Sequence, residues 1–132
     1  MINTLIKSCR FSTSDIIAAT EGECMSFALA LHIVLKNMHI NSKMVAVEHS
    51  REPINWLHVL VEFDRELYDI RGKVKLRSVH REFGTDILRD IFENEIREDI
   101  KRFISEGIHP YIGKNIDSIT PKWCEKIKKG IK

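Results

Sequence analysis

The sequence has few cysteines and no long apolar run, and these absences exclude several classes of protein. Its three cysteines, Cys9, Cys24 and Cys124, are an odd number without a CxxC pair, which argues against a disulfide framework or a structural zinc site. No apolar run approaches the roughly 20 residues that a membrane helix needs. The first residues also lack the basic start and apolar stretch of a signal peptide. We therefore expect a cytoplasmic protein without a membrane partner, which could still be delivered into a target cell.

The composition is that of an ordinary soluble protein. The 132 residues are 43% hydrophobic and 30% charged, which is enough for one real core and predicts a single domain over residues 1–132. The net charge of +2 gives no reason to expect a nucleic-acid partner. Lysines are concentrated between Lys122 and Lys132, where a solvated helix end is the simplest explanation.

Hydrophobic periodicity predicts an α+β fold. The helix that starts at Cys24 and reaches about Met38 is apolar around most of its girth, so it should be central and buried. The predicted strands are 43–48, 56–63 and 67–71, with 73–79 as a possible extension of the sheet. The other predicted helices are a short one capped within 12–15, an amphipathic one over 85–106 and a last one from Pro121. A helix, then a small antiparallel sheet, then further helices is an α+β order.

Cys24 stands at the start of the central helix, directly after Glu-Gly-Glu. A helix N-terminus favours the thiolate form of a cysteine, because free N–H groups and the helix dipole stabilise negative charge. The backbone N–H of Cys24 is free to donate to an oxyanion, and Gly22 lets a substrate backbone come close. The alternative is that Cys24 is simply a small buried residue.

His58 and Asp69 are the candidate base and orienting carboxylate. They lie on consecutive strands, and a two-residue turn at Asp64-Arg65 would pair Phe63 with Glu66. In that register His58 and Asp69 share one face as diagonal neighbours, within reach of each other. A carboxylate there would fix the tautomer of the imidazole and aim its other nitrogen at a thiol. A three-residue turn would instead place Asp69 on the opposite face.

Three segments resemble the papain-like/transglutaminase-like thiol hydrolase superfamily, in particular the compact versions found in bacterial toxins, effectors and prophage proteins. They are Gly-Glu-Cys-Met-Ser-Phe-Ala-Leu-Ala-Leu at 22–31, Leu-His-Val-Leu-Val-Glu-Phe at 57–63 and Leu-Tyr-Asp-Ile-Arg-Gly at 67–72. The resemblance covers about residues 20–72. It implies a papain-like core in which the nucleophile opens a helix packed on a sheet, and the additional C-terminal helices predicted over 85–131 lie outside it. It also implies a catalytic triad of Cys24, His58 and Asp69.

The resemblance does not identify the side chain that would donate to the oxyanion, because papain-type enzymes use a glutamine there and this sequence contains no glutamine. Thr20 or Asn55 could replace it, or the Cys24 amide could act with another backbone N–H. Trp56 lies two residues before His58, hence on the same face, and is either a shield for the His58–Asp69 bond or an ordinary core residue.

We expect a cysteine-dependent amide hydrolase, either a protein glutamine deamidase or a protease of toxin or effector type, with transglutaminase activity as a variant of the same chemistry. Its partners would be a protein substrate and a cognate inhibitor or immunity protein. It would need no cofactor and no metal, although a zinc ion on Cys24, His58 and Asp69 is conceivable. The competing hypotheses are an inert protein-binding module on the same fold and a papain-like-fold nuclease toxin.

Overall fold

The computed structural model describes residues 1–48, 56–105 and 115–131, and these form a mixed α+β structure. Its helices are α1 (Ile2–Ser8), α2 (Thr13–Thr20), α3 (Cys24–Asn37), α4 (Leu76–Phe83), α5 (Ile96–Ser105) and α6 (Ile116–Lys128). Its strands are β1 (Lys43–Glu48), β2 (Trp56–Phe63), β3 (Glu66–Asp69), β4 (Gly72–Val74) and β5 (Leu88–Ile91). The strands form one antiparallel sheet in the order β4-β3-β2-β1-β5. The predicted α+β class is confirmed.

The helix α3 is the centre of the larger hydrophobic core. Ten of its residues, from Cys24 to Leu35, are buried, as expected for a helix that is apolar on nearly every side. One side of α3 packs on β1 and β2, and α6 packs against α3 as well. Phe27 on α3 and Trp123 on α6 meet edge to face, with ring centroids 5.4 Å apart. The core therefore fixes both ends of the chain around α3.

The helix α4 belongs to a second, smaller core. Its Val79 is buried with four sheet residues, Val45, Val47, Leu60 and Leu67. Phe83, the last residue of α4, packs against the same cluster. Gly84 then ends the helix in the left-handed conformation, with φ of 75°.

A two-residue turn joins β2 to β3, as the sequence predicts. Asp64 and Arg65 both have positive φ, at 51° and 65°, which is the conformation of the tight hairpin turn that suits twisted strands. Phe63 pairs with Glu66, and the register continues to Val61 and Tyr68. This is the register that keeps His58 and Asp69 on one face.

Gly72, the first residue of β4, is held against α1. Its φ is 102°, and a Cβ added there would collide with Asn3 Oδ1. That same oxygen accepts a 2.9 Å hydrogen bond from the backbone N–H of Lys73. The backbone angle therefore requires glycine at this position, and a larger residue would also displace the Asn3 side chain from its bond to Lys73.

The prediction of one helix over 85–106 is wrong in its first half. Residues Leu88–Ile91 form β5, which pairs with β1, and α5 begins only at Ile96. Leu88 and Ile91 are three residues apart, a spacing that mimics one face of a helix, but on a strand it places them on opposite faces. Leu88 packs on the smaller core and Ile91 on the larger one. Pairing with β1 thus overrides the local helical pattern.

Two other element predictions need correction. Only Lys73 and Val74 of the predicted segment 73–79 belong to the sheet, because α4 begins at Leu76. The last helix begins at Ile116 rather than at Pro121, which lies exposed inside α6. The burial of Ile116, Thr120, Trp123 and Ile127 at helical spacing drives this earlier start. The helix α1 was not predicted, since seven residues carry too little periodicity to distinguish it.

No single helix among residues 1–48, 56–105 and 115–131 is both long and apolar enough to cross a membrane, although α2 and α3 pass that test of length and composition as a bent pair.

The β2–β3 turn gives a test of the register. We expect Arg65→Gly to raise the free energy of unfolding by roughly 0.5–1 kcal/mol, because glycine adopts positive φ without the steric cost that arginine bears. The matched control is Arg81→Gly on the exposed face of α4, which should lower stability by about 1 kcal/mol. Urea denaturation measures both. Equal losses in the two variants would contradict the turn conformation.

Candidate active site

The structure brings His58 and Asp69 into direct contact. The distance from His58 Nε2 to Asp69 Oδ2 is 3.0 Å, and the two residues are 0% and 2% exposed. The pairing of β2 with β3 across the Asp64-Arg65 turn produces this contact. A buried histidine and carboxylate at this distance form a charge-assisted hydrogen bond, which is stronger than one between neutral groups.

The carboxylate of Asp69 is held from its other side by Arg71. The guanidinium donates to it through Nε, at 3.2 Å from each oxygen, and through Nη2, at 2.6 Å from Oδ2. The backbone N–H of Arg71 adds a 2.8 Å bond to Oδ1. Burial alone would raise the pKa of Asp69, but the hydrogen bonds from His58 and Arg71 outweigh it and lower the pKa to about 2. Asp69 is therefore an anion at any ordinary pH.

The imidazole of His58 lies between the start of α3 and the end of α4. Cys24 is close enough to interact with the ring, while Phe83 stacks on it with ring centroids 5.2 Å apart. Burial lowers the pKa of His58, but Asp69 and Cys24 together raise it to about 9. At neutral pH the ring is therefore protonated.

His58 Nδ1 is the nitrogen left for the thiol, because Nε2 is bonded to Asp69. Within the described parts of the chain, Nδ1 is buried and has no hydrogen-bond partner of normal geometry. The sulfur of Cys24 is only a weak partner for it. The arrangement can thus move a proton between Cys24 and Nδ1 while Asp69 holds the opposite side of the ring.

The N-terminus of α3 has no side-chain cap. Its N-cap residue is Glu23, whose carboxylate makes no capping bond and instead accepts a 3.0 Å hydrogen bond from Trp123 Nε1 on α6. Helix geometry leaves the first backbone N–H groups of α3 without intrahelical acceptors. The Cys24 N–H is consequently free of a competing carboxylate at the place where an oxyanion would form.

Four residues were predicted to support the oxyanion hole or the His58–Asp69 bond, and the structure gives each a different environment where it describes them. The hydroxyl of Thr20 donates to Ile16 O at 2.7 Å, within its own helix, so it is engaged away from an oxyanion. Gly22 is exposed and a Cβ there would meet nothing within 4 Å. Trp56 is buried in the larger core, at 3% exposure. Asn55 lies outside the described residues.

Sequence reasoning missed three residues that contact the site: Arg71, Glu82 and Phe83. Glu82 Oε2 accepts a 3.0 Å hydrogen bond from Arg71 Nη1. The predicted strand 67–71 ends at Asp69, and Arg71 lies in the turn between β3 and β4. An aspartate that accepts from the backbone N–H two residues on is a recognised turn signal, so the Asp-x-Arg spacing of 69 and 71 was usable. The contribution of α4 could not be anticipated, because the sequence predicts residues 73–79 as a possible extension of the sheet and assigns no element to residues 80–83.

In the described ranges, no group of three histidine, cysteine or acidic side chains is placed to hold a metal ion.

Comparison with protein families gives one match. Residues 2–113 match the family described as Phage YunG-like protein. The chain belongs to the phage YunG-like family. No curated protein and no solved structure matches it. The matched part of this YunG-like chain includes Cys24, His58 and Asp69, and α6 lies beyond it.

The ionised His58–Asp69 pair should make the free energy of unfolding of this YunG-like protein depend on pH. Because the pKa of His58 is raised from 6.5 to about 9 in the folded state, its stabilising effect is complete below pH 6.5 and is lost as the pH rises through 9. Asp69, with its lowered pKa, contributes fully above pH 3.8 and loses its effect towards pH 2. We expect the free energy of unfolding to fall between pH 6 and pH 10 by on the order of 3 kcal/mol.

Urea denaturation at the two pH values measures this difference. The control is His80→Ala, since the side chain of His80 is 63% exposed, and this variant should keep the full pH dependence. His58→Asn and Asp69→Asn should each flatten it. A His58→Asn protein with the wild-type pH dependence would show that another group titrates.

Proposed function

We propose that this phage YunG-like protein is a cysteine-dependent amide hydrolase with a papain-like core. Cys24 would be the nucleophile, His58 its acid–base partner and Asp69 the residue that orients the histidine. The observation that carries the proposal is the buried His58–Asp69 hydrogen bond of 3.0 Å beside a cysteine at the uncapped start of α3. A nucleophile within reach of a base, which a third group orients, is the general signature of nucleophilic catalysis.

The chemistry follows from the protonation states. His58, with its raised pKa, is positively charged at neutral pH, and a positive charge beside a thiol makes it a better nucleophile by favouring loss of its proton. The sulfur attacks the carbonyl carbon of an amide, and the electron pair of the C=O bond moves to the oxygen, which the Cys24 N–H stabilises. His58 gives its proton to the leaving nitrogen as the C–N bond breaks. Neutral His58 then takes a proton from water as the water oxygen attacks the thioester carbon, and the C–S bond breaks to release the carboxylic acid and return the sulfur, as an anion, beside protonated His58.

This mechanism fits two substrate classes equally well. A peptide amine as the leaving group makes the protein a protease, and ammonia from a glutamine side chain makes it a deamidase. An amine in place of water would give a transglutaminase. We propose a protein substrate, with one host or competitor protein as target, in keeping with the phage-type family of the chain and with its resemblance to effector hydrolases.

Burial of the site favours a second candidate function. Cys24, His58 and Asp69 are at most 2% exposed, so a substrate can reach the thiol only after movement of the residues around it. If that movement does not occur, the protein would be an inert binding module on the same fold.

Alkylation by iodoacetamide at neutral pH distinguishes the two candidates. Cys9 and Cys124 are more exposed than Cys24, but burial raises the pKa of both thiols. An activated Cys24 should nevertheless react faster than either, and His58→Ala should slow it by about tenfold or more. The control is His32→Ala, a half-buried histidine on the same helix whose Nδ1 bonds Ser42. The inert module is supported if Cys24 is the slowest of the three thiols.

Intact-mass measurement of candidate protein targets tests the reaction itself. Incubation with the wild-type protein should produce either fragments, from proteolysis, or the small mass increase that accompanies replacement of an amide nitrogen by oxygen. Cys24→Ala should produce neither, because it removes the nucleophile, whereas Cys124→Ala should act like the wild type. Modification that persists in Cys24→Ala would contradict thiol chemistry.

A further inference from the structure

The end of α4 contacts the His58–Asp69 pair through two consecutive residues. Phe83 stacks on the imidazole, with 19° between the ring planes. Glu82 accepts a hydrogen bond from Nη1 of Arg71 at 3.0 Å. Since Arg71 also holds Asp69, α4 is linked to the carboxylate through one guanidinium.

The guanidinium of Arg71 is fixed at both ends. Its Nε and Nη2 edge faces Asp69, while Nη1 faces Glu82. The backbone carbonyl of Arg71 accepts a 2.8 Å hydrogen bond from Lys7 Nζ on α1. These contacts leave the planar group little freedom to rotate, and the Asp69 carboxylate bonded to it is equally restricted.

We propose that Arg71 is a positioning residue of the candidate active site: its guanidinium, braced by Glu82 of α4, fixes the Asp69 carboxylate against His58. This inference rests on the proposed function for its catalytic meaning. It extends that function by adding a fourth side chain and a second helix to the triad.

The geometry of Arg71, rather than its charge, must be what helps the histidine. A positive charge beside Asp69 opposes a second positive charge on His58, so charge alone would weaken the imidazolium. A planar fork that donates from two nitrogens instead locks the carboxylate in one orientation. Lysine carries the same charge as arginine but cannot supply the fork.

The alkylation rate of Cys24 tests the proposal through a pair of substitutions. We expect Arg71→Gln and Arg71→Lys both to slow the reaction by about tenfold, because each removes the two-nitrogen contact with Asp69. Arg77→Gln is the matched control, since Arg77 is exposed on α4 and its loss changes the charge by the same amount. Glu82→Gln, at the surface end of the chain of contacts, should cause a smaller loss in the same direction.

A double-mutant cycle separates positioning from general damage to the fold. If Arg71 acts through Asp69, Arg71→Gln should cause no further loss of rate in an Asp69→Asn background. A full additional loss in that background would overturn the proposal. So would a wild-type rate in Arg71→Lys, which would assign the effect to charge.

A measurement that does not depend on the thiol tests the same proposal if Cys24 proves unreactive. The Nε2–H proton of His58 should give a slowly exchanging NMR signal in the wild type, because it is buried and bonded to Asp69. The signal should be lost in Arg71→Gln and Arg71→Lys and kept in Arg77→Gln. Its loss alongside an unreactive Cys24 would support the positioning role and reject the proposed function. Its retention in both Arg71 variants would overturn the positioning role.

Discussion

The rest of the structure depends on the burial of α3. A helix that is apolar around nearly its whole girth cannot lie on a surface, so it needs cover on more than one side. The sheet covers one side, and α6 packs on it as well. This requirement draws the two ends of the chain together and keeps the N-terminus of α3 beside the strand that carries His58. The position of Cys24 is therefore a consequence of core packing.

A second constraint is the presence of charge inside this core. Moving a carboxylate and an imidazolium out of water costs several kcal/mol for each ion, and their attraction offsets this only with good geometry and further hydrogen bonds. Asp69 has those bonds, from His58 and from Arg71 through both its backbone and its guanidinium. Arg71 remains 38% exposed at its side chain, so one member of the group keeps contact with water while it neutralises a buried anion.

Short-range signals in the sequence predicted the parts of the fold that need no distant partner. The strands β1 and β2 and the helix α3 have a clear period, and the Asp64-Arg65 turn sets the register that joins His58 to Asp69. The elements α1, α4 and β5 were missed because each is short and is stabilised by contacts far along the chain. For the same reason Arg71 and Phe83 were not recognised as site residues: their partners became neighbours only after folding.

The pattern of satisfied and unsatisfied groups around His58 bears on whether this cluster is structural or chemical. Apolar residues of similar volume often stabilise a core as well as a buried ion pair does, so stability alone does not explain the cluster. Most buried polar side-chain atoms in proteins have a hydrogen-bond partner. In the described part of the chain Nδ1 of His58 has no hydrogen-bond partner and Cys24 is close to the ring, although leaving a buried polar atom unsatisfied costs about 1–3 kcal/mol. That cost fits the proposed role, in which the nitrogen would accept and return a proton, because a strong permanent partner would block the transfer.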